Sequence, residues 1–202
     1  MVDKSSEYSA GIMTECSWFL EFKKLVVLRY EGVDEAERRR RCIEENLFGM
    51  PNEHRIKRSY GYINRRVQNM DDTLVELFCT SDLATQKLIN LIVILKGDRL
   101  FFEFINEVYR EKNILGYGFI EVSDANTFFR DKTVAVPELA NWRDTTFPKV
   151  RRCYFNFMVD ANLLRKEKSK YIITPPILDI ALERYLQYNG DERLLKAITG
   201  VS

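Results

Sequence analysis

One predicted helix in the C-terminal third of the chain carries polar side chains of the types that contact nucleic acid. A cap at Asp144 or Thr145 predicts a helix that runs to about Leu164. At about 100° per residue, one side of this helix holds Thr145, Lys149, Arg152 and Asn156. The opposite side holds Val150, Tyr154, Phe157, Ala161 and Leu164. Because those four polar types contact phosphates and base edges in the major groove, the pattern predicts DNA contact, with Thr146 and Arg151 beside them.

A basic segment follows this helix directly. Arg165, Lys166, Lys168 and Lys170 lead into a short run with β propensity, residues 171–174. We expect a basic hairpin here, with Lys166, Lys168 and Lys170 against the DNA backbone. A helix-turn-helix, a basic hairpin and a closing helix in this order are the outline of a winged-helix module. The alternative interpretation is a structural helical hairpin with solvated lysines.

A second basic segment lies in the N-terminal half, at residues 52–70. Its cations are Arg55, Lys57, Arg58, Arg65 and Arg66, and Glu53 is its single acid. The arginines recur at helical spacing, so several could follow one phosphate track. The alternative is that their stems pack on the core.

Charge is segregated along the chain. The whole chain of 202 residues has a formal net charge of +1, which gives no global attraction to nucleic acid. Residues 141–170 hold eight Lys or Arg against three acids, and residues 52–70 hold five against one. The rest of the chain is therefore strongly acidic, and any affinity for nucleic acid must come from the two basic segments.

Residues that could support catalysis are scarce. His54 is the one histidine, and it has no obvious orienting acid, so we expect a surface or capping role. The four cysteines, Cys16, Cys42, Cys79 and Cys153, form no CxxC pair, and the glycines at 116 and 118 lack the ending of a phosphate-binding loop. The arginine run 38–41 lies within salt-bridge spacing of four glutamates, which predicts an internally paired face. We predict no enzymatic activity, no cofactor and no metal.

The elements that must position these residues are helices almost throughout. Asp34 is placed as a helix cap, Pro51 and Asn52 as a helix start, Asp71 or Asp72 as a further cap, and Gly32 as a helix stop. Two apolar runs around residues 88–95 and 100–109 are interrupted by charged residues and are too short to span a membrane. With a polar N-terminus and no signal peptide, the chain is expected in the cytoplasm. The prediction is a mainly α fold with a helical bundle over 1–115 and a winged-helix-like domain with a short β-hairpin over 120–202.

Several short motifs, taken in order and spacing, resemble one known family across essentially the whole chain. In the N-terminal half they are Tyr8-Ser9-Ala10-Gly11, Glu44-Glu45-Asn46-Leu47 and the helix with Arg58, Arg65 and Arg66. In the C-terminal half they are Phe128-Phe129, the Trp142 turn, the helix begun by Thr146 and Asn162-Leu163-Leu164. These motifs resemble the BrxA family, the small accessory protein of BREX bacterial phage-defence systems.

The resemblance implies a NusB-like helical half, a winged-helix-like half and a non-catalytic role in binding double-stranded DNA. It also implies other BREX defence proteins as partners; we expect a monomer or weak dimer. Two other functions remain open. The basic surfaces could dock acidic proteins in an interaction scaffold, or the NusB-like half could make the chain an RNA-binding module of the antitermination type.

Overall fold

A computed structural model describes residues 7–15 and 17–200 of the chain. The fold is mainly α with one small antiparallel sheet, as predicted. Contacts divide the chain into a helical unit, residues 17–93, and a C-terminal unit, whose described residues are 7–15 and 94–200. In the described part of the chain, no helix is long and apolar enough to cross a membrane.

The helical unit is formed by α1 (Phe19–Tyr30), α2 (Glu35–Ile43), α3 (Glu53–Gln68), α4 (Asp72–Thr80) and most of α5 (Leu83–Gly97). Asp34, Asn52 and Asp71 each cap a helix by accepting a backbone N–H at 2.8–2.9 Å, from Glu37, Arg55 and Leu74 respectively. Of the two predicted alternatives for α4, the cap is thus Asp71 and not Asp72. α1 begins at Phe19, because Trp18 before it has a left-handed backbone (φ 43°) that an α-helix cannot contain. A short 3-10 turn, Gly11–Thr14, lies before it in the chain.

The core of the helical unit comes from the apolar faces of its helices. Phe22 of α1 and Phe78 of α4 are fully buried and meet edge to face, with ring centroids 5.4 Å apart. Ile63 and Val67 of α3 are also fully buried. The unit therefore depends on helix-to-helix burial of large apolar side chains.

The C-terminal unit alternates helices with three strands. In chain order these are α6 (Arg99–Phe104), a π-helical turn (Ile105–Tyr109), α7 (Arg110–Ile114), β1 (Phe119–Glu121), α8 (Val122–Ala135), α9 (Pro137–Ala140), α10 (Thr146–Asp160), β2 (Leu164–Glu167), β3 (Lys170–Ile173), α11 (Ile180–Tyr188) and α12 (Glu192–Thr199). The sheet is antiparallel throughout, and β3 lies between β1 and β2. The predicted hairpin is thus β2 and β3, whereas β1 was not predicted. A three-residue strand is too short to show alternation in sequence.

Helix α10 ends earlier than predicted. It stops at Asp160, because Asn162 takes a left-handed backbone (φ 60°) that turns the chain toward the hairpin. Leu164, predicted on the apolar face of the helix, is instead the first residue of β2, where it is buried.

An aromatic cluster forms the centre of the C-terminal unit. Phe104 is fully buried, and its ring lies 5.3 Å from Phe128, 5.5 Å from Tyr154 and 5.9 Å from Phe155. Phe101 stacks on Tyr154 at 4.2 Å with an interplanar angle of 12°. The helix that carries Phe101 and Phe104 therefore packs against α8 and α10.

This packing joins α6 to α8 and α10 within the C-terminal unit. The glycines at 116 and 118 lie between α7 and β1 of the same unit. Whether residues 1–115 and 120–202 fold as separate domains stays a prediction.

Asp98 is expected to make the stability of the C-terminal unit depend on pH. It caps α6 by accepting the Phe101 N–H at 2.8 Å, and desolvation raises its pKa from 3.8 to about 6. The folded protein thus binds this proton more tightly than the unfolded chain, so the free energy of unfolding falls as pH rises from about 4 to about 6. Asp98→Asn keeps a capping acceptor and removes the titration.

Urea denaturation of both proteins across this pH range is the measurement. From the low to the high end of this pH range, the free energy of unfolding of the variant is expected to rise by about 1–3 kcal/mol relative to that of the parent. A difference between the two proteins that stays constant with pH would contradict the prediction, since the other titrating groups are shared.

Candidate nucleic-acid interface

The polar face predicted for α10 is exposed in the structure. Thr145 is the N-cap residue, and the side chains of Lys149, Arg152 and Asn156 follow it on the exposed side of the helix. The opposite face is buried through Val150, Tyr154 and Phe157. Asp160 is exposed one turn beyond Asn156, so the stripe ends in an acid that the helical pattern did not include.

Lys149 and Arg152 are available to an external anion. Neither forms an ion pair with any residue that the structure describes, and both are exposed. Two uncompensated cations three residues apart, about one helical turn, can meet successive phosphates of a nucleic-acid backbone.

The other two predicted contacts on this helix are positioned differently. Arg151 is half-buried and donates a hydrogen bond to the Asn126 side chain of α8, so it joins the two helices. Thr146 is half-buried in the first turn, where its backbone N–H donates to the Arg143 carbonyl at 2.8 Å. Both lie at the side of the exposed stripe and not within it.

Two of the three predicted lysines of the hairpin make no ion pair with a described residue, and the third contacts residues of β1. Lys166 of β2 and Lys168 in the turn are exposed and make no ion pair in the described part of the chain. Lys170 of β3 faces its partner on β1: its Nζ lies 3.6 Å from Glu121 and 3.9 Å from the centroid of the Phe119 ring. The charge of Lys170 is therefore partly neutralised within the sheet.

The second basic segment forms part of α3, in the helical unit. Arg55, Arg58 and Arg65 are exposed, and the Arg65 guanidinium lies 5.8 Å from the Tyr62 ring centroid. Lys57 is paired with Glu53 at 2.5 Å across one turn of the helix. Three of the five predicted cations are thus exposed on α3 without a described carboxylate partner.

Arg66 was predicted to contact phosphate, and the structure places it in the interior. Its side chain is 4% exposed and donates to the Ser17 carbonyl at 2.8 Å. It lies on the buried face of α3 beside Ile63 and Val67, so it cannot share a surface with Arg65. The stem-packing alternative is correct for this residue.

The arginine run 38–41 forms the internally paired face that its sequence predicts. Arg40 lies 2.7 Å from both Glu37 and Glu45, and Arg41 lies 2.7 Å from Glu37. Hydrogen bonds from Arg40 and Arg41 lower the pKa of Glu37 to about 2. Arg38 is buried and donates to the Val33 carbonyl. Three of the four arginines are therefore engaged within the fold, while Arg39 is exposed.

Groups for metal binding are not gathered in the described residues. No cluster of three or more His, Cys, Asp or Glu side chains there could hold a metal ion. His54 is exposed in the first turn of α3. Cys42, Cys79 and Cys153 form no disulfide with one another, and burial raises the pKa of Cys42 to about 11, while Cys16 lies outside the described residues.

The sequence analysis did not identify the residues that bind Arg151 and Lys170 within the fold. Asn126 holds Arg151, and Glu121 and Phe119 hold Lys170. These partners are 25 or more residues away in sequence, so no local pattern could have identified them.

Comparisons with known proteins agree over nearly the whole chain. A family model described as BrxA matches residues 6–190. A BREX protein BrxA of Bacillus cereus (strain H3081.97) is 33% identical over 197 residues, covering 98% of each chain. The crystal structure of an uncharacterized protein from Magnetospirillum magneticum superposes with a TM-score of 0.81 at 18% identity, over 96% of this chain and 99% of that one. At that identity, the structural likeness concerns the fold alone.

Proposed function

This chain belongs to the BrxA family of BREX proteins, and we propose that it is a non-catalytic accessory protein that binds double-stranded DNA in phage defence. The observation that carries the proposal is the exposed stripe of Thr145, Lys149, Arg152 and Asn156 on α10. Two of its members are cations without a described carboxylate partner, and two are polar groups that suit base edges or phosphates.

The element order around the stripe supports the same proposal. A helix, a strand, two long helices with the short α9 between them, and a hairpin follow one another, with the strand order β1-β3-β2. In a winged-helix module with this order, α10 is the helix that enters the major groove, and the hairpin lies against the adjacent backbone. Lys166 and Lys168 extend from that hairpin, so they would contact phosphates beside the groove.

The exposed arginines of α3 form a second proposed phosphate contact. Arg55, Arg58 and Arg65 are sequence-tolerant partners for a backbone, and none of them is placed to read a base in this proposal. The contacts are therefore expected to give affinity with little sequence specificity. Other BREX proteins are the partners that family membership suggests.

Fluorescence anisotropy of a labelled duplex across a salt series tests the proposal. Four cations of the C-terminal unit, Lys149, Arg152, Lys166 and Lys168, predict a slope of log affinity against log salt of about −3 to −4. Adding the three arginines of α3 makes the slope about −6. The value thus reports whether both basic surfaces contact one duplex.

Competition by unlabelled nucleic acids separates the remaining candidates. Unlabelled duplex is expected to displace the probe at lower concentration than single-stranded RNA, because α10 fits a major groove that unpaired RNA does not present. Stronger displacement by RNA would favour an RNA-binding module. An absence of duplex binding near physiological salt would reject direct DNA binding and favour the scaffold.

A further inference from the structure

A cleft of about 910 Å³ lies in the C-terminal unit. One side is formed by the π-helical turn and α7, which follow each other directly in the chain, and the other side by α8. Glu107, Glu111 and Lys112 line one wall. Asp124, Asp131 and Lys132 line the other. Its size matches pockets that bury a ligand or a few side chains of a partner. The π-helical turn forms part of the first wall, and such turns are frequent at functional sites.

The two lysines of the cleft are already neutralised. Lys112 lies 2.6 Å from Asp124, and its ammonium group is 5.4 Å from the Tyr117 ring centroid. Lys132 lies 2.6 Å from Glu107 and 2.7 Å from Glu103. The lysine side chains of these pairs are mostly shielded from solvent, since Lys112 is 22% exposed and Lys132 is 16% exposed. An incoming group therefore meets no uncompensated positive charge here.

Two carboxylates at the edge of the cleft remain available to a cation. Glu111 is exposed and forms no ion pair with a described residue. Asp131 pairs only with its neighbour Arg130, at 3.2 Å, and both side chains are more than 60% exposed. Exposed pairs of this kind are weak and readily exchanged. One carboxylate on each wall gives the cleft a negative edge.

Apolar groups form the rest of the lining. Val108 and Phe128 are buried in the floor, and Leu115 and Tyr117 are exposed at the edge, by 67% and 59%. A large apolar side chain and an aromatic ring left in solvent beside a concave floor are typical of a protein-contact site. A nucleic acid would be repelled by the carboxylates of the same edge.

The cleft lies on a different side of α8 from the side that meets α10. Its α8 residues, from Asp124 to Ala135, recur at spacings of three and four and so share one face. Asn126, which holds Arg151 of α10, lies outside that set. A protein bound in the cleft could therefore leave the polar stripe of α10 open to DNA.

We propose that this cleft is a docking site for a partner protein, and that it takes a segment in which basic side chains alternate with large apolar ones. The apolar side chains pack on Val108, Phe128 and Leu115. The basic head groups pair with Glu111 and Asp131. The negative edge and the apolar floor together select this chemistry over an acidic or purely polar segment.

A fluorescein-labelled peptide in which leucine alternates with arginine is the probe, and its glutamate counterpart is the negative control. The full-length protein is expected to bind the arginine peptide and to ignore the glutamate peptide in anisotropy titrations. Glu111→Lys/Asp131→Lys is expected to weaken peptide binding at least about tenfold, because attraction becomes repulsion at both walls. The matched variant Glu44→Lys/Glu138→Lys makes the same change in net charge at exposed acids outside the cleft and is expected to retain binding.

Thermal melting of each variant tests whether the fold is intact, and duplex affinity tests whether the DNA surface is intact. Failure of peptide binding can therefore be distinguished from failure of the proposed DNA binding. Equal loss in the two charge variants would overturn the proposal, because the effect would then follow net charge and not the cleft. Failure of the arginine peptide to bind, or equal binding of the glutamate peptide, would also overturn it.

Discussion

Reversing the charges of Lys149 and Arg152 to glutamate is expected to lower the affinity for duplex DNA by at least about 100-fold at moderate salt. Both side chains are exposed on α10 without a described carboxylate partner, so under the proposed DNA binding each substitution removes a phosphate contact and adds a repulsion. Each lost contact also lowers the steepness of the salt dependence by about one. The measurement is the same anisotropy titration with parent and variant side by side.

The matched control for this prediction is Arg184→Glu/Arg193→Glu, which makes an equal change in net charge at exposed positions on α11 and α12. It is expected to retain most of the affinity. An equal loss in both variants would mean that overall charge, and not the α10 stripe, governs binding. If the Lys149 and Arg152 variant keeps its DNA affinity but no longer assembles with other BREX proteins, the scaffold function would take precedence.

Replacing Phe104 with alanine is expected to lower the free energy of unfolding by about 3–5 kcal/mol. The Phe104 ring is fully buried and contacts residues of both α8 and α10, so its removal leaves a cavity beneath the polar stripe. The surrounding rings are large and fixed by one another, which limits how far they can collapse into that space. Chemical denaturation followed by circular dichroism is the measurement.

Val134→Ala is the control for the aromatic cluster, because Val134 is 86% exposed on α8 and its truncation removes little buried surface. Its effect is expected to stay within about 0.5 kcal/mol. A loss of less than about 1 kcal/mol in Phe104→Ala would show that the cluster does not hold the C-terminal unit together. The charge reversal and the Phe104 substitution are also distinguishable from each other. The charge reversal is expected to change the affinity for DNA without changing the free energy of unfolding.

The basic residues of the chain differ in whether another group of the protein already binds them. This difference decides which cations can bind a ligand. The arginines at 40 and 41 are engaged by Glu37 and Glu45, and Arg66 is engaged by the Ser17 carbonyl. Lys149 and Arg152 have no such partner in the described structure. Counting basic residues in a segment therefore overstates its binding surface, because a cation contributes only where its charge is left uncompensated.

Much of this molecule was determined by local sequence. The helix starts at Asp34, at Asn52 and at the pair Asp71 or Asp72 were identified correctly, because a capping side chain bonds to backbone within three residues of itself. The exposed stripe of α10 was identified because helical periodicity alone separates Lys149 and Arg152 from Val150 and Tyr154. The hairpin followed from β propensity beside a basic turn.

Tertiary structure decided the rest, and the reason is distance along the chain. Strand β1 exists because three residues pair with β3 about 50 positions later, and the aromatic cluster exists because Phe101 and Phe104 pack on residues of α8 and α10. The burial of Arg66 and the pairing of Arg151 with Asn126 depend on side chains that only folding brings together. A local pattern can say which face of a helix is polar, but only the packed chain fixes which charges on that face already have a partner.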